Sequence, residues 1–264
     1  MQAETPLERM VRDAWHEPGL RPTFYRRLLD SDVLVPVQPC PEHVATGVIG
    51  AGARLNVITL VRQTDRVGVI PFFTSPERVF EGYPAGERCV QMRVRELFEA
   101  RRDMHFHLNP FSKYGREFFP HEVSWLLSSG GIAPLEQIEL EGTEALSLRT
   151  PRQITEPVVS ALRVLYARNF DVLAAYFAEC TDAASGVKFL VLLDMKEAGD
   201  AALVLQDTGT VVNEVVGAGS SRFAVALLPR DGSAPSPILD DATPFYRMGL
   251  TGSIASAARL QQMR

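Results

Sequence analysis

Leu55-Asn56-Val57-Ile58-Thr59-Leu60-Val61-Arg62, Gln63-Thr64-Asp65, Arg66-Val67-Gly68-Val69-Ile70-Pro71-Phe72-Phe73 and Thr74-Ser75-Pro76-Glu77 follow one another without a break, and this stretch decides the fold class. The first and third runs are rich in β-branched and aromatic residues. The three polar residues between them read as a hairpin turn. The last run is a helix start: either Thr74 caps with Glu77 three residues on, or Ser75 caps with Pro76 at the first helical position. A strand pair feeding straight into a helix predicts mixed layering, neither all-α nor all-β.

Upstream, Leu7, Met10, Val11, Ala14 and Trp15 recur at helical spacing, with Thr5 as N-cap and Pro6 at N1. Pro18-Gly19 stops that helix, and a second begins near Thr23 with Phe24, Leu28 and Leu29 on its buried face. Val33–Val37 is a short strand, placed at a sheet edge by Pro36 and Pro39. Downstream, Val90–Arg101 reads as an amphipathic helix and Met104–Leu108 as a short strand ended by Asn109-Pro110. His121–Ser128 reads as a helix ended by Gly130-Gly131.

Ala133 to Thr150 is polar and acidic, a linker or a strand pair between two lobes. After Pro151 the pattern restarts: a helix over Glu156–Arg168, strands at Val172–Ala178 and Lys188–Leu193, a helix over Ala201–Val216 and a strand at Arg222–Leu228. The expectation is an α/β (α+β) protein of two small mixed domains in tandem, residues 1–133 and 151–264, joined by 134–150. Its 264 residues fit two domains at about 150 residues each.

Composition removes several function classes. At 46% hydrophobic and 22% charged residues the chain is too apolar to be disordered. A net charge of -5 gives no electrostatic footprint for nucleic acid or anionic lipid. The most apolar run, Phe189–Leu193, is far shorter than the roughly 20 residues that span a bilayer. Cys40, Cys89 and Cys180 form no CxxC, so neither a zinc ribbon nor a dithiol redox pair is available. With no apolar run in the first ten residues either, the expected compartment is the cytoplasm.

The ordered set Pro71-Phe72-Phe73-Thr74-Ser75-Pro76-Glu77, Arg95-Glu96-Leu97-Phe98, and Leu108-Asn109-Pro110-Phe111-Ser112 with Gly115 and Phe118 resembles the N-terminal domain of the SseB family. Val172–Phe177, Phe189–Leu193 and Pro244-Phe245-Tyr246 are similar to that family's C-terminal domain. The resemblance spans nearly the whole chain. It implies no established molecular activity and no catalytic residues to carry over, and the expectation for this chain is a non-enzymatic cytoplasmic protein without a cofactor that binds another protein or a small metabolite. The family takes its name from enhanced serine sensitivity when the protein is in excess, so a link to serine or sulfur metabolism is implied too. A translocon protein of secretion systems shares the name but has coiled-coil and membrane-interacting character, and this chain has neither heptads nor an apolar span.

Two regions stand out as candidate sites. His105-Phe106-His107 puts two imidazoles on one strand face, the spacing of a metal pair, with His121, Glu122 or Asp103 as the nearest further donors. The commoner role of such a pair is a solvated strand face. The loop Asn109-Pro110-Phe111-Ser112-Lys113-Tyr114-Gly115 offers a ligand-binding lip in which Asn109, Ser112, Lys113 and Tyr114 supply polar contacts beside Phe111. Its commoner reading is an Asx-turn, with Asn109 satisfying its own loop's amides.

Other motifs carry less. Gly47-Val48-Ile49-Gly50-Ala51-Gly52 lacks the preceding strand and following helix of a dinucleotide loop. Gly217-Ala218-Gly219 reads as a helix C-cap. There is no Gly-x-Ser-x-Gly elbow and no histidine after His121. Arg88 beside Cys89 is a reason for a lowered thiol pKa, set against the inert apolar-face cysteine. Pro244-Phe245-Tyr246 is expected to complete the second domain's core, and the tail beyond Gly252 to be dispensable. The alternatives to a binding module are therefore a small-molecule or metal-dependent enzyme built on His105, His107 and Asn109, and a partner of a toxin or secretion apparatus.

Overall fold

The structure is a computed structural model and describes residues 4–38, 56–132, 135–140, 147–149, 151, 155–182, 186–196, 199–229 and 243–249. The glycine-rich loop at 47–52, Cys40 and the tail beyond Gly252 lie outside these residues. By its internal contacts the chain divides into two compact units: Met1–His16 with Thr23–Gly130, and Glu17–Pro22 with Gly131–Arg264.

The first unit opens with helix α1 (Pro6–His16). Thr5 caps it through a reciprocal box: the Glu8 amide donates to Thr5 Oγ1 at 3.2 Å, and the Thr5 amide donates to the Glu8 carboxylate at 2.9 Å. Helix α2 (Arg21–Leu29) buries Phe24, Tyr25, Leu28 and Leu29. Strand β1 (Asp32–Pro36) pairs antiparallel with β4 (Cys89–Arg93). A four-stranded sheet is built in the order β2 (Leu60–Val61), β3 (Gly68–Phe72), β5 (His105–Leu108), β6 (Arg116–Phe118). The β2–β3 and β5–β6 pairs are antiparallel, but β3 and β5 run parallel with Phe72 opposite Leu108. That parallel pair requires a long crossover, which α3 (Pro76–Gly82), β4 and α4 (Val94–Ala100) supply.

Alternation on β5 and β6 turns Phe106, Leu108 and Phe118 inward, where they meet Phe72 and the α4 residue Phe98. All five side chains are 0% exposed. Helix α5 (Pro120–Ser129) covers this core with Val123 and Leu126. It ends where Gly130 takes a left-handed φ of 75° and its N–H bonds the Leu126 carbonyl.

The helix expected over Val90–Arg101 is corrected to a strand followed by a shorter helix. Val90 and Met92 alternate with exposed Gln91 and Arg93, which is period 2, and they face Val35 and Val33 across the ladder. Among the described residues of the strand expected over Leu55–Arg62, regular pairing is kept at Leu60–Val61, preceded by an isolated bridge from Val57 to Val37.

The second unit is a sheet in the order β12 (Tyr246–Arg247), β9 (Val172–Asp182), β10 (Gly186–Met195), β11 (Phe223–Leu227), β7 (Glu136–Gln137), with β8 (Ser147–Arg149) also on β9. The polar 134–150 stretch thus contributes two strands to this sheet. Strands β9 and β10 are an antiparallel pair, whereas β10, β11 and β7 run parallel. Helices α6 (Glu156–Ala167) and α7 (Ala201–Val216) cover one face, burying Val158, Leu162, Tyr166, Val211 and Val212 against Ala175, Val191 and Val225. Leu190, Leu192, Ala224 and Ala226 are buried on the other face. Burial on both faces explains the unbroken apolar run of β10. Arg21 of the 17–22 segment pairs with Glu214 of α7 at 2.6 Å. Among the described residues no helix is long and apolar enough to cross a membrane.

Candidate functional site

Because β3 and β5 are parallel and end in register, the loops that follow them emerge side by side. The Asn109 amide continues the ladder by donating to the Phe72 carbonyl at 2.9 Å, and the chain then turns through a left-handed Asn109 with φ 46°. Asparagine tolerates that conformation better than most side chains. The expected Asx-turn is not what the side chain makes. Asn109 Oδ1 accepts from the Thr74 amide at 3.0 Å and Nδ2 donates to Thr74 Oγ1 at 3.0 Å, so it ties the two loops together. Its own loop is closed instead by the backbone, with the Ser112 amide on the Asn109 carbonyl and the Gly115 amide on the Ser112 carbonyl.

With Thr74 engaged by Asn109, Ser75 is the cap of α3. Its hydroxyl accepts from the Arg78 amide at 3.5 Å and donates to the Glu8 carboxylate at 2.9 Å. Glu8, 8% exposed, also accepts from Arg78 Nε at 2.9 Å and thereby joins α1 to the β3–α3 loop. Burial pushes the Glu8 carboxyl up. Hydrogen bonds from the Thr5 amide, Ser75 and Arg78, with the Arg78 charge, outweigh this and hold it below its ordinary value of 4.5.

A carboxyl lowered on folding stabilises the protein fully above about pH 4.5, and that contribution is lost as the pH falls through the folded value. Glu8→Gln should therefore destabilise the first unit by about 2–4 kcal/mol at pH 7. The difference from wild type should shrink below about pH 4. Urea unfolding of both proteins at pH 7 and pH 3.5 checks this, and an unchanged difference at the lower pH would remove Glu8 from that role.

Aromatic rings surround this polar hub. Phe111 lies over Gly82, where a Cβ would come within 1.9 Å of the ring, so only glycine leaves it that seat. It stacks on Phe73 at 6.3 Å and meets Tyr83 edge-on at 5.8 Å. On the far side of the loop Tyr114 meets Trp15 and His16 edge-on at 6.4 and 5.6 Å, and Lys113 Nζ sits 5.5 Å from the Tyr114 ring. Trp15, Phe80 and Phe111 remain 48%, 55% and 46% exposed. The Tyr83 hydroxyl is buried without a hydrogen-bond partner among the described residues, and burial pushes its pKa up.

Of the residues singled out in the sequence, Asn109 holds the loop and Ser112 Oγ accepts from the Tyr114 amide at 3.3 Å. Lys113 is exposed, and Tyr114 is half-buried against Trp15 and His16. Glu8, Trp15, Gly82 and Tyr83 were missed. The Thr5-x-x-Glu8 spacing was the available signal for Glu8. Nothing local announces Trp15, which meets Tyr114 across 99 residues of sequence.

His105 and His107 do share one strand face, as period 2 requires, and Glu117 of β6 stands opposite them. His105 Nδ1 lies 3.2 Å from Glu117, which also bonds Arg62. Burial pushes the His107 imidazole pKa down, with Glu117 opposing. The further donors go elsewhere: Glu122 bonds Arg116 and the Phe119 amide, Asp103 pairs with Arg101, and His121 stacks on Phe119 and meets Trp125 edge-on. Among the described residues no group of three or more His, Cys, Asp or Glu is placed to hold a metal ion. The Cys89 thiol is pushed up by burial and then by Glu87, so Arg88 does not activate it.

The chain is a tandem α+β protein of two units, the first of which carries a loop site at the carboxyl ends of two parallel strands. Two family models cover it in order: the SseB protein N-terminal domain matches residues 7–125 and the SseB protein C-terminal domain matches residues 140–247. The chain belongs to the SseB family. It is similar to Protein SseB of Escherichia coli (strain K12) and to Protein SseB of Shigella flexneri, each 29% identical over 246 residues, covering 93% of this chain and 93% of each relative. No solved structure matches it.

Proposed function

We propose that the protein is a binding module rather than an enzyme, and that its first unit receives an apolar segment of a partner protein at the loop that carries Phe111 and Tyr114, with Trp15 against Tyr114. The observation that carries this reading is the half-exposure of two large rings, Trp15 and Phe111, at an internally bonded loop. Isolated exposed aromatics are ordinary, but rings gathered around one preformed loop mark contact surfaces. The polar groups beside that loop support the same reading. Asn109, Thr74, Ser75, Glu8 and Arg78 bond to one another, which fits a scaffold better than a reacting constellation.

An apolar side chain inserted beside Phe111 would complete a cluster already formed with Phe73 and Tyr83. The test compares wild type with Phe111→Ser and with Phe170→Ser, which removes an exposed ring of the second unit that is 73% exposed. A partner should be retained by wild type and by Phe170→Ser, and weakened at least about 30-fold by Phe111→Ser, the scale of losing one anchor of about 2 kcal/mol. Equal retention by all three would refute the assignment of the loop.

A further inference from the structure

Among the described residues, strand β4 has its ladder with β1 and lies at the edge of that sheet. The ladder runs without a register shift, the Val37 amide donating to the Arg88 carbonyl at 2.9 Å and the Val94 amide to the Ser31 carbonyl at 3.1 Å. In an antiparallel pair, residues that bond across the ladder alternate with residues that bond away from it. Arg88 and Val94 bond toward β1, so Val90 and Met92 do too. The amides and carbonyls of Cys89, Gln91 and Arg93 therefore point the other way. The same alternation on β1 turns Leu34 away from β4, where its amide and carbonyl bond Phe73 at 2.9 Å.

The outward side of β4 is open to contact. No residue of the strand is buried: Gln91 and Arg93 are exposed, and Cys89, Val90 and Met92 are half-buried. Proteins blunt sheet edges by shortness, by lysine or proline, or by a bulge. Among the described residues the other edge strands are short, β2, β7 and β12 having two residues each and β6 three. Strand β4 has five residues, no proline, lysine or bulge, and one charge, Arg93, at its end.

We propose that this edge pairs with the same edge of a second copy of the chain, antiparallel about a two-fold axis through Gln91. The strand has its centre at Gln91, so this axis pairs its whole length. Gln91 then faces Gln91 of the second copy and Cys89 faces Arg93, each pair exchanging both backbone bonds. Val90 lies opposite Met92 of the second copy, joining half-buried apolar side chains at two symmetric positions. No two charges of one sign meet, and the two Gln91 side chains can bond each other, since each amide donates and accepts. The contact is isologous and consumes both edges, so assembly stops at the dimer.

Sedimentation equilibrium and amide hydrogen exchange of the full-length protein test this. The dimer should predominate at about 200 μM, as suits the weak end of interface sizes. Between about 2 and 200 μM the Cys89, Gln91 and Arg93 amides should slow at least about threefold. Gln91→Lys sets two like charges on the axis. Gln91→Pro removes an outward amide and costs β1 no bond. Each should weaken association at least about tenfold and leave the thermal midpoint of dilute protein unchanged. Gln91→Lys, a change at an exposed position, decides alone if the proline variant does not fold. Oxidation should join Val90→Cys chains to Met92→Cys chains, both carrying Cys89→Ser, in preference to either with itself, because only the unlike positions lie opposite each other. A monomer at about 200 μM, a dimer kept by a folded Gln91 variant, edge amides indifferent to concentration, or preferred self-joining of either cysteine chain would overturn the proposal.

Discussion

Replacing Phe98 by alanine is expected to cost the first unit about 3–5 kcal/mol, the range for truncating a fully buried phenylalanine. Its ring centroid lies 4.7 Å from Phe106, 5.6 Å from Phe118 and 5.9 Å from Phe72, so it sits where three strands and α4 converge. None of those neighbours can move into the space without leaving its own strand position, so collapse of the cavity is limited. The expected readout is a lowered urea midpoint by tryptophan fluorescence. Trp15 and Trp125, the two tryptophans of the chain, both belong to this unit. A loss under 1 kcal/mol would mean that the four rings are not the centre of this core.

Tyr246→Ala is expected to have a comparable effect on the second unit, again about 3–5 kcal/mol. Tyr246 is 6% exposed, lies 5.6 Å from the Tyr166 ring, and donates its hydroxyl to the Tyr166 carbonyl at 2.9 Å. Tyr166 in turn bonds Thr208 at 3.0 Å from a fully buried position that pushes its own pKa far up. The substitution removes both a buried ring and one of the donors to the Tyr166 carbonyl, which also accepts from the Asn169 amide. Phe245 is partly buried, 4.7 Å from Phe177, and Phe245→Ala should cost less, about 1.5–3 kcal/mol. Thermal unfolding by far-UV circular dichroism ranks the two, and a larger loss at Phe245 would reverse the assignment of the anchor.

These residues also show what could be read in advance. Pro244-Phe245-Tyr246 was legible as a core element because two adjacent rings carry more apolar area than a surface easily accommodates. Which ring carries the anchoring role was not, since that depends on the β12–β9 register, Tyr246 opposite Ala175. Helix α7 was legible to the residue because Asp200 caps it locally, accepting from the Leu203 amide at 3.0 Å, and Gly217 ends it. Val90–Arg101 was misread because a strand runs into a helix with no glycine or proline between them, leaving apolar residues that fit both periods.

In the candidate site, the Asn109 loop and the Thr74–Ser75 helix start were each visible as strings of residues. Their union was not. It requires β3 and β5 to be parallel neighbours although α3, β4 and α4 lie between them in the chain.

The sequence by itself determined the composition class, most helix positions and caps, and the two-domain family pattern, because those depend on residues within about four positions of one another. Only the tertiary structure decided that Asn109 bonds Thr74, that Trp15 meets Tyr114, and that β4 pairs with β1 at a sheet edge. Each of those follows from strand order and register between segments tens of residues apart. Register is set by the summed burial of whole faces, which no single motif encodes.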